Sequence, residues 1–407
     1  MKCRHCATPL EHTFLDLGFA PPSNAYLTED ELSRPEKYYP LKIKVCSECW
    51  LVQTADYAQA DELFSSEYAY FSSTSSGWLA HAAAYTRKMT AELGLAGDSM
   101  VIEVASNDGY LLRNFVAAGI PCLGIEPTAS TAAAAEALGI PVMREFFGEG
   151  LGRQLADAGK QADLIAGNNV YAHVPDINDF TRGLKAALKP GGTITLEFPH
   201  LIRLIEHTQF DTVYHEHFSY LSLYAVSRIF SAAGLRVCDV EELPTHGGSL
   251  RVYGCHDDAP RATTAAVGAI LSQEAERGLQ ILATYQAFQA GADRVKNDLL
   301  AFLLEQKRAG KTVAAYGAAA KGNTLLNYAG VKPDLLPFVC DAAAAKQGKY
   351  MPGSHIPIRA PAALAAERPD YVLILPWNIA AEVRHQNAAL AQQGTRFVTA
   401  VPELKIL

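Results

Sequence analysis

The chain reads as an α/β protein, with two parallel-sheet units behind a small metal-stapled amino-terminal segment. Three observations predict this. Short β-branched runs alternate with Ala- and Leu-rich helical stretches twice, first from Ser99 and again from Thr312, and such alternation marks βαβ units. Two Cys-x-x-Cys pairs stand near the front, Cys3 with Cys6 and Cys46 with Cys49. A length of 407 residues exceeds what one core supports, so two or three domains of about 100–200 residues are expected.

Residues 1–75 combine the cysteine pairs with loop-rich sequence such as Pro21-Pro22-Ser23-Asn24. This stretch is too polar and too aperiodic for a large core, and a metal staple accounts for its folding. From Trp78 to Leu95 apolar residues recur at helical spacing. The runs Met100–Val104, Pro121–Glu126, Ala162–Gly167 and Thr193–Phe198 then read as successive strands, with Lys189-Pro190-Gly191-Gly192 as the turn before the last. Residues 76–258 are therefore expected to form one α/β domain. Ile270 to Gly310 reads as long helices, and Thr312–Gly317, Leu335–Asp341, Tyr371–Leu375 and Arg396–Val398 read as strands of a second α/β domain over 259–407.

Hydrophobic content of 49% and charged content of 19% are ordinary for a globular chain. No run approaches the roughly 18–20 apolar residues of a membrane span. The start, Met1-Lys2-Cys3-Arg4, lacks the apolar core of a secretory signal, so a cytoplasmic protein without a membrane anchor is expected. A net charge of −8 argues against nucleic acid as a partner, because a phosphate backbone is met by a basic surface.

Four thiolates in two knuckles supply the tetrahedral shell of zinc, with a disulfide pair or free thiols as the alternatives. The gap of about 39 residues between the pairs exceeds the common ribbon spacing of roughly 15–20 residues, so the insert carries its own loop or strand. A closed shell of Cys3, Cys6, Cys46 and Cys49 leaves no open coordination position, and the metal holds shape. Cys122, Cys238, Cys255 and Cys340 read as buried apolar residues.

Glu103, Ser106, Asn107, Asp108 and Gly109 sit where the first central strand turns into a helix, and small residues there let backbone approach a ligand. The three glycines of the dinucleotide fingerprint are absent. About 17 residues after Gly109, Glu126 ends the second strand, where a carboxylate accepts both ribose hydroxyls of an adenosine. Asn168 and Asn169 follow the next strand, at the crevice where such sheets bind ligands.

The carboxyl-terminal unit repeats the theme. Tyr316-Gly317-Ala318-Ala319-Ala320-Lys321 follows a strand and opens a helix, so backbone amides and Lys321 form a phosphate cradle. Its glycine spacing does not match a nicotinamide site. Asp341 ends the following strand, and Lys346-Gln347-Gly348-Lys349-Tyr350 begins a cation-rich loop that covers a base or pyrophosphate, or is merely a surface loop.

Tyr214-His215-Glu216-His217 packs titratable groups together. On a strand, Tyr214 and Glu216 share one face and the histidines the other; on a turn all converge. A metal site, a hydrogen-bonded structural cluster and acid–base catalysis compete. The metal reading lacks the helical ligand spacing of the common hydrolase motif, and imidazole titrates near operating pH, which suits a base.

Taken in order, both cysteine pairs, Asp16-Leu17-Gly18, Tyr68-Ala69-Tyr70-Phe71-Ser72-Ser73, Glu103 to Gly109, Tyr214 to Tyr220, His246-Gly247-Gly248-Ser249-Leu250-Arg251 and Lys346 to Pro357 make the chain resemble, over nearly its whole length, the sugar C-methyltransferases of bacterial deoxysugar pathways. The resemblance implies a zinc-binding amino-terminal domain, a central Rossmann-like S-adenosylmethionine domain and a carboxyl-terminal Rossmann-like domain that grips the nucleotide diphosphate of a nucleotide-linked 4-keto-deoxysugar, in a monomer or homodimer. It implies that His217 is the general base, with Tyr214, Glu216 and His173 lining the reacting end of the sugar. It further implies an aromatic wall from Tyr68 and Tyr70, a sugar-facing loop carrying His246, Ser249 and Arg251, and a diphosphate contact from Lys321. One departure is Trp50, which follows Cys49 where the family favours Gly. The rivals are methylation of oxygen or nitrogen on another small molecule, and a zinc-ribbon binding protein with two inert α/β domains.

Overall fold

The computed structural model describes residues 1–55 and 71–407; Tyr68 and Tyr70 lie outside the described residues. Strands are β1 (His12–Ala20), β2 (Tyr39–Val45), β3 (Val52–Thr54), β4 (Val101–Val104), β5 (Cys122–Ile125), β6 (Val142–Met143), β7 (Ala162–Asn168), β8 (Leu188–Pro199) and β9 (Ser219–Tyr220). They continue with β10 (Leu235–Leu243), β11 (Ser249–His256), β12 (Val313–Tyr316), β13 (Val339–Cys340), β14 (Ile358–Arg359), β15 (Tyr371–Ile374), β16 (Arg396–Thr399) and β17 (Lys405–Ile406).

The central sheet has the order β10-β11-β8-β7-β4-β5-β6. Strands β4 to β8 pair in parallel, and β11 runs antiparallel to β8 and β10. All of β4 and β5 is buried, as a sheet covered by helices on both faces requires. The sheet order reverses between β4 and β7, and this switch point opens the crevice of the site.

The expected turn at Lys189–Gly192 is instead a bulge inside β8, which begins at Leu188. Ala162 pairs with Leu188 and Leu164 already pairs with Thr193, so the Pro-Gly-Gly stretch fills the break in the ladder, where Pro190 has no amide to donate.

The carboxyl-terminal sheet has the order β14-β13-β12-β15-β16-β17, parallel except for β17. Here too the expected strand from Leu335 is shorter, reduced to Val339–Cys340. Pro337 lacks a ladder donor, which keeps the residues before β13 out of the sheet.

The amino-terminal segment is more ordered than its composition suggests. It forms an antiparallel sheet β1-β2-β3-β9, whose last strand comes from the histidine-rich segment far along the chain. Its core is borrowed: Phe14 stacks on Phe288 at 4.6 Å and meets Tyr285 edge-on at 5.7 Å, both from the helices Leu282–Gln286 and Phe288–Arg308. Among the described residues no helix is long and apolar enough to cross a membrane.

Candidate active site

The ligand atoms of Cys3, Cys6, Cys46 and Cys49 lie within 4.8 Å of one another, with Sγ atoms 3.5 Å apart in the pairs Cys3–Cys49 and Cys6–Cys46. Four sulfurs about 2.3 Å from one ion stand at this kind of mutual distance, so the quartet fits tetrahedral zinc. Each knuckle closes on a residue in the left-handed region, Ala7 (φ 62°) and Trp50 (φ 61°). Trp50 occupies the place of a glycine because its indole stacks on Tyr285 at 6.0 Å, which offsets the backbone cost.

A cavity of about 800 Å³ opens at the carboxyl ends of β4, β5 and β7, within the range of roughly 300–1,000 Å³ that small-molecule sites span. Glu126 lines it and accepts from the backbone amides of Asn107 and Thr128, both at 2.9 Å. Asn168 and Asn169 line it as well, and the buried Oδ1 of each has no hydrogen-bond partner among the described residues. A carboxylate beside two spare amide oxygens suits a ligand rich in hydroxyl, ammonium and sulfonium groups, so the residues fit S-adenosylmethionine.

Asn107 of the expected cofactor loop lines the cavity too, while its other residues sit behind this surface. Glu103 is fully buried, away from the cavity lining, and burial holds its carboxyl well above the usual range. Asp108 accepts from the amide of Ser73, and Ser106 packs against Gly124. Gly109 has φ 77°, and a Cβ there would meet Ile140 Cδ1 at 2.4 Å, so the loop turns tightly against Ala135 and Ile140 at the end of the helix Ala129–Ala137.

Opposite lie the histidines. Tyr214–His217 is a turn rather than a strand: the His217 amide donates to the Tyr214 carbonyl at 3.0 Å, bringing their rings to 4.0 Å. His217 Nδ1 is 2.9 Å from the Thr212 carbonyl. A carbonyl only accepts, so Nδ1 carries the proton and Nε2 keeps a lone pair. Burial, then the neighbouring His173, push the His217 imidazole well below its usual range, keeping it neutral. The His173 ring lies 4.5 Å away, and burial lowers its value to about 4. His215 points away toward Tyr39. Glu216 lies outside the lining, where it accepts from Asn24 at 3.1 Å and burial raises it to about 6.

His246 also lines the cavity, on a strained loop with φ 54°. Its Nε2 accepts from the Asn169 amide at 3.1 Å, tying this loop to the residues that follow β7. Ser249 and Arg251, expected on a sugar-facing loop, lie outside the cavity lining. Ser249 donates back to Thr245 at 2.9 Å. Arg251, in β11 opposite Glu197 of β8, pairs with Glu197 at 2.7 Å and with Glu241. Glu197 in turn accepts from Thr245 at 2.9 Å, so this buried pair anchors the loop that carries His246.

From the carboxyl-terminal unit, Lys321 and Lys346 reach the cavity. Lys321 donates to Asn378 at 2.8 Å and lies 4.7 Å over the Trp377 ring. Trp377 donates to the buried Asp211 at 2.7 Å, and Gly247 is pressed so close to Trp377 that a Cβ would meet its Cη2 at 2.4 Å. Asp341 and Tyr350 stand outside the lining: Asp341 accepts from the Ala318 amide at 2.7 Å, and Tyr350 bridges to Leu27 through its backbone. Trp78 and Asn24 line the cavity without having been singled out. The only sign of Asn24 was its Pro-Pro-Ser-Asn loop, and Trp78 looked like an ordinary helix residue.

Profile comparisons match a zinc-binding domain to residues 3–64, a methyltransferase domain to 78–240 and a C-methyltransferase C-terminal domain to 244–402. The chain is 33% identical over 406 residues to the C-methyltransferase NovU of Streptomyces niveus, covering 100% of this chain and 96% of that protein. Similar solved structures include the magnesium protoporphyrin IX methyltransferase of Synechocystis PCC 6803 with bound SAH, at 13% identity, 44% of this chain, 84% of that chain and a TM-score of 0.36. Another is the glycopeptide N-methyltransferase MtfA with S-adenosyl-L-methionine, at 14% identity, 43% of this chain, 94% of that chain and a TM-score of 0.35.

Proposed function

Because this chain belongs to the S-adenosylmethionine-dependent C-methyltransferase family, we propose that it methylates carbon on a nucleotide-linked 4-keto-deoxysugar, with His217 as general base. The observation that carries this reading is the His217–Thr212 hydrogen bond, which leaves a neutral imidazole nitrogen in the same cavity as Glu126 and Asn168.

In this reading Glu126 takes the ribose hydroxyls, and Asn168 and Asn169 offer amide oxygens to the cationic end of the methyl donor. The donor supplies an electrophilic methyl group on a sulfonium. His217 Nε2 removes the proton from the sugar carbon beside the ketone, with Tyr214 and His173 flanking it and Glu216 holding Asn24 at the cavity wall. The proton rests on His217 Nε2, and the carbanion carbon would take up the methyl that the bound donor supplies, the donor's sulfonium becoming a neutral thioether leaving group. General-base help of this kind contributes about 10²- to 10⁴-fold, and holding the reacting atoms together supplies much of the remainder. Lys321 serves the diphosphate of the sugar nucleotide, as a cation on a helix start would. A cytoplasmic setting, with its reducing thiol pool, suits the four zinc thiolates.

The test is solvent deuterium exchange. A nucleotide 4-keto-sugar incubated in deuterium oxide without methyl donor should gain deuterium beside the ketone with the wild-type protein. With His217→Gln, exchange and methyl transfer should both fall about 10²- to 10⁴-fold, while calorimetric binding of S-adenosylmethionine persists. Intact turnover in His217→Gln removes the imidazole from the mechanism. Methyl transfer to oxygen or nitrogen without exchange replaces the proposed reaction class.

A further inference from the structure

Arg4, one of the two residues between Cys3 and Cys6, reaches toward the histidine site. Arg4 donates through Nη1 to the Pro175 carbonyl at 2.7 Å and through Nη2 to the Thr54 carbonyl at 3.1 Å. Its guanidinium sits 5.3 Å from the centroid of Phe218, the residue after His217. Pro175 follows the short helical turn Tyr171–His173, and the Phe218 amide donates to the Ala172 carbonyl at 2.8 Å. One side chain thus grips both segments that present the paired imidazoles.

The same knuckle is bound on its other sides. Gln53 donates to Cys3 Sγ at 3.2 Å and accepts from the Arg4 amide at 2.9 Å. The side chain of Asn178 donates to the carbonyls of Arg4 and His5 at 3.2 and 2.9 Å. Next to Gln53, the Thr54 hydroxyl donates to the His217 carbonyl, and the Thr54 amide donates to Phe218 at 3.1 Å. Strand β9 completes this by pairing Ser219 with Gln53 and Tyr220 with Val52.

We propose that Arg4 is a positioning residue for the His173–His217 pair, so that the metal knuckle sets the orientation of the base as well as the fold of its own segment. A closed thiolate shell holds Cys3 and Cys6 in place. Arg4, between them, is presented with little freedom, and its planar fork makes two directed bonds that a lysine cannot reproduce together. The inference rests on the reading of His217 as base for its catalytic consequence, though not for its geometric one.

The experiment pairs Arg4→Ala and Arg4→Lys with two readouts. Nitrogen NMR of the His217 ring, on zinc-loaded protein without substrate, should show the wild type with its proton on Nδ1 and Arg4→Ala with a mixed tautomer population. The turnover number should fall about 10- to 100-fold in Arg4→Ala, the scale of about a 1 Å misplacement, with the Michaelis constant changed less than about twofold. Arg4→Lys should recover part of both. Zinc content and calorimetric affinity for S-adenosylmethionine should match the wild type. An unchanged His217 tautomer together with unchanged turnover in Arg4→Ala overturns the proposal. If Arg4→Ala loses zinc, Arg4→Met, which keeps the aliphatic stem beside the knuckle and removes both donors to Pro175 and Thr54, decides instead, and a wild-type tautomer and turnover there overturn it equally. Because the tautomer is read without substrate, its change in a protein that performs no exchange on keto-sugars would sustain the positioning role while refuting His217 as the base.

Discussion

Glu126 Oε2 accepts from the amide of Asn107 across the 2.9 Å that separate the second strand's end from the loop after the first. The carboxylate therefore shapes the loop and lines the cavity at once. Glu126→Gln should weaken S-adenosylmethionine binding about 10- to 100-fold, the loss of a charge-assisted hydrogen bond worth roughly 1.5–3 kcal/mol. Isothermal calorimetry on folded protein measures it, and unchanged affinity would remove Glu126 from the cofactor site.

The pH dependence follows from the neutral imidazole. A base must be unprotonated to act, and burial with His173 nearby holds His217 well below its ordinary value near 6.5. The active form persists as pH falls through neutrality, so the acid limb of the turnover number should lie below about pH 6.5. A limb at or above that value contradicts the assignment.

Arg251 and Glu197 form a buried pair at 2.7 Å. Removing one partner strands the other charge, which costs about 3–5 kcal/mol. Arg251→Met should lower stability by this order in urea unfolding and loosen the His246 loop through Glu197 and Thr245. A stable variant with only a raised Michaelis constant would restore the sugar-binding role expected from the sequence.

Zinc removal should expose one set of thiols and spare the other. A strong chelator frees Cys3, Cys6, Cys46 and Cys49, while Cys122, Cys238, Cys255 and Cys340 stay buried in the sheets. A colorimetric thiol reagent should therefore titrate the first four alone in the folded protein, and the melting temperature should fall, since structural zinc contributes folding energy. Reaction of all eight would mean that the metal holds the whole chain together.

How much of this was legible in the sequence depended on range. The strands Val101–Val104 and Cys122–Ile125 and the helix Ser76–Leu93 announce themselves because periodicity is written in adjacent residues. Lys189–Gly192 misled because Pro and Gly mark turns and bulges alike, and only the register of β7 against β8 separates them. Ser249, Arg251, Asp341 and Tyr350 are the right residue types for a sugar site, yet their neighbours are Thr245, Glu197, Ala318 and Leu27, partners that come from other strands and loops.

By itself the sequence determined the two alternating α/β series, the quartet of thiolates and the clustering of titratable groups around His217, since each is a property of spacing along the chain. Only the tertiary structure decided that Tyr214–His217 turns, which imidazole nitrogen keeps its lone pair, and that β9 crosses to the sheet beside the metal knuckle. Those outcomes depend on segments up to 171 residues apart meeting in one packed interior, where a hydrogen bond from Thr54 or Arg4 outweighs any local preference.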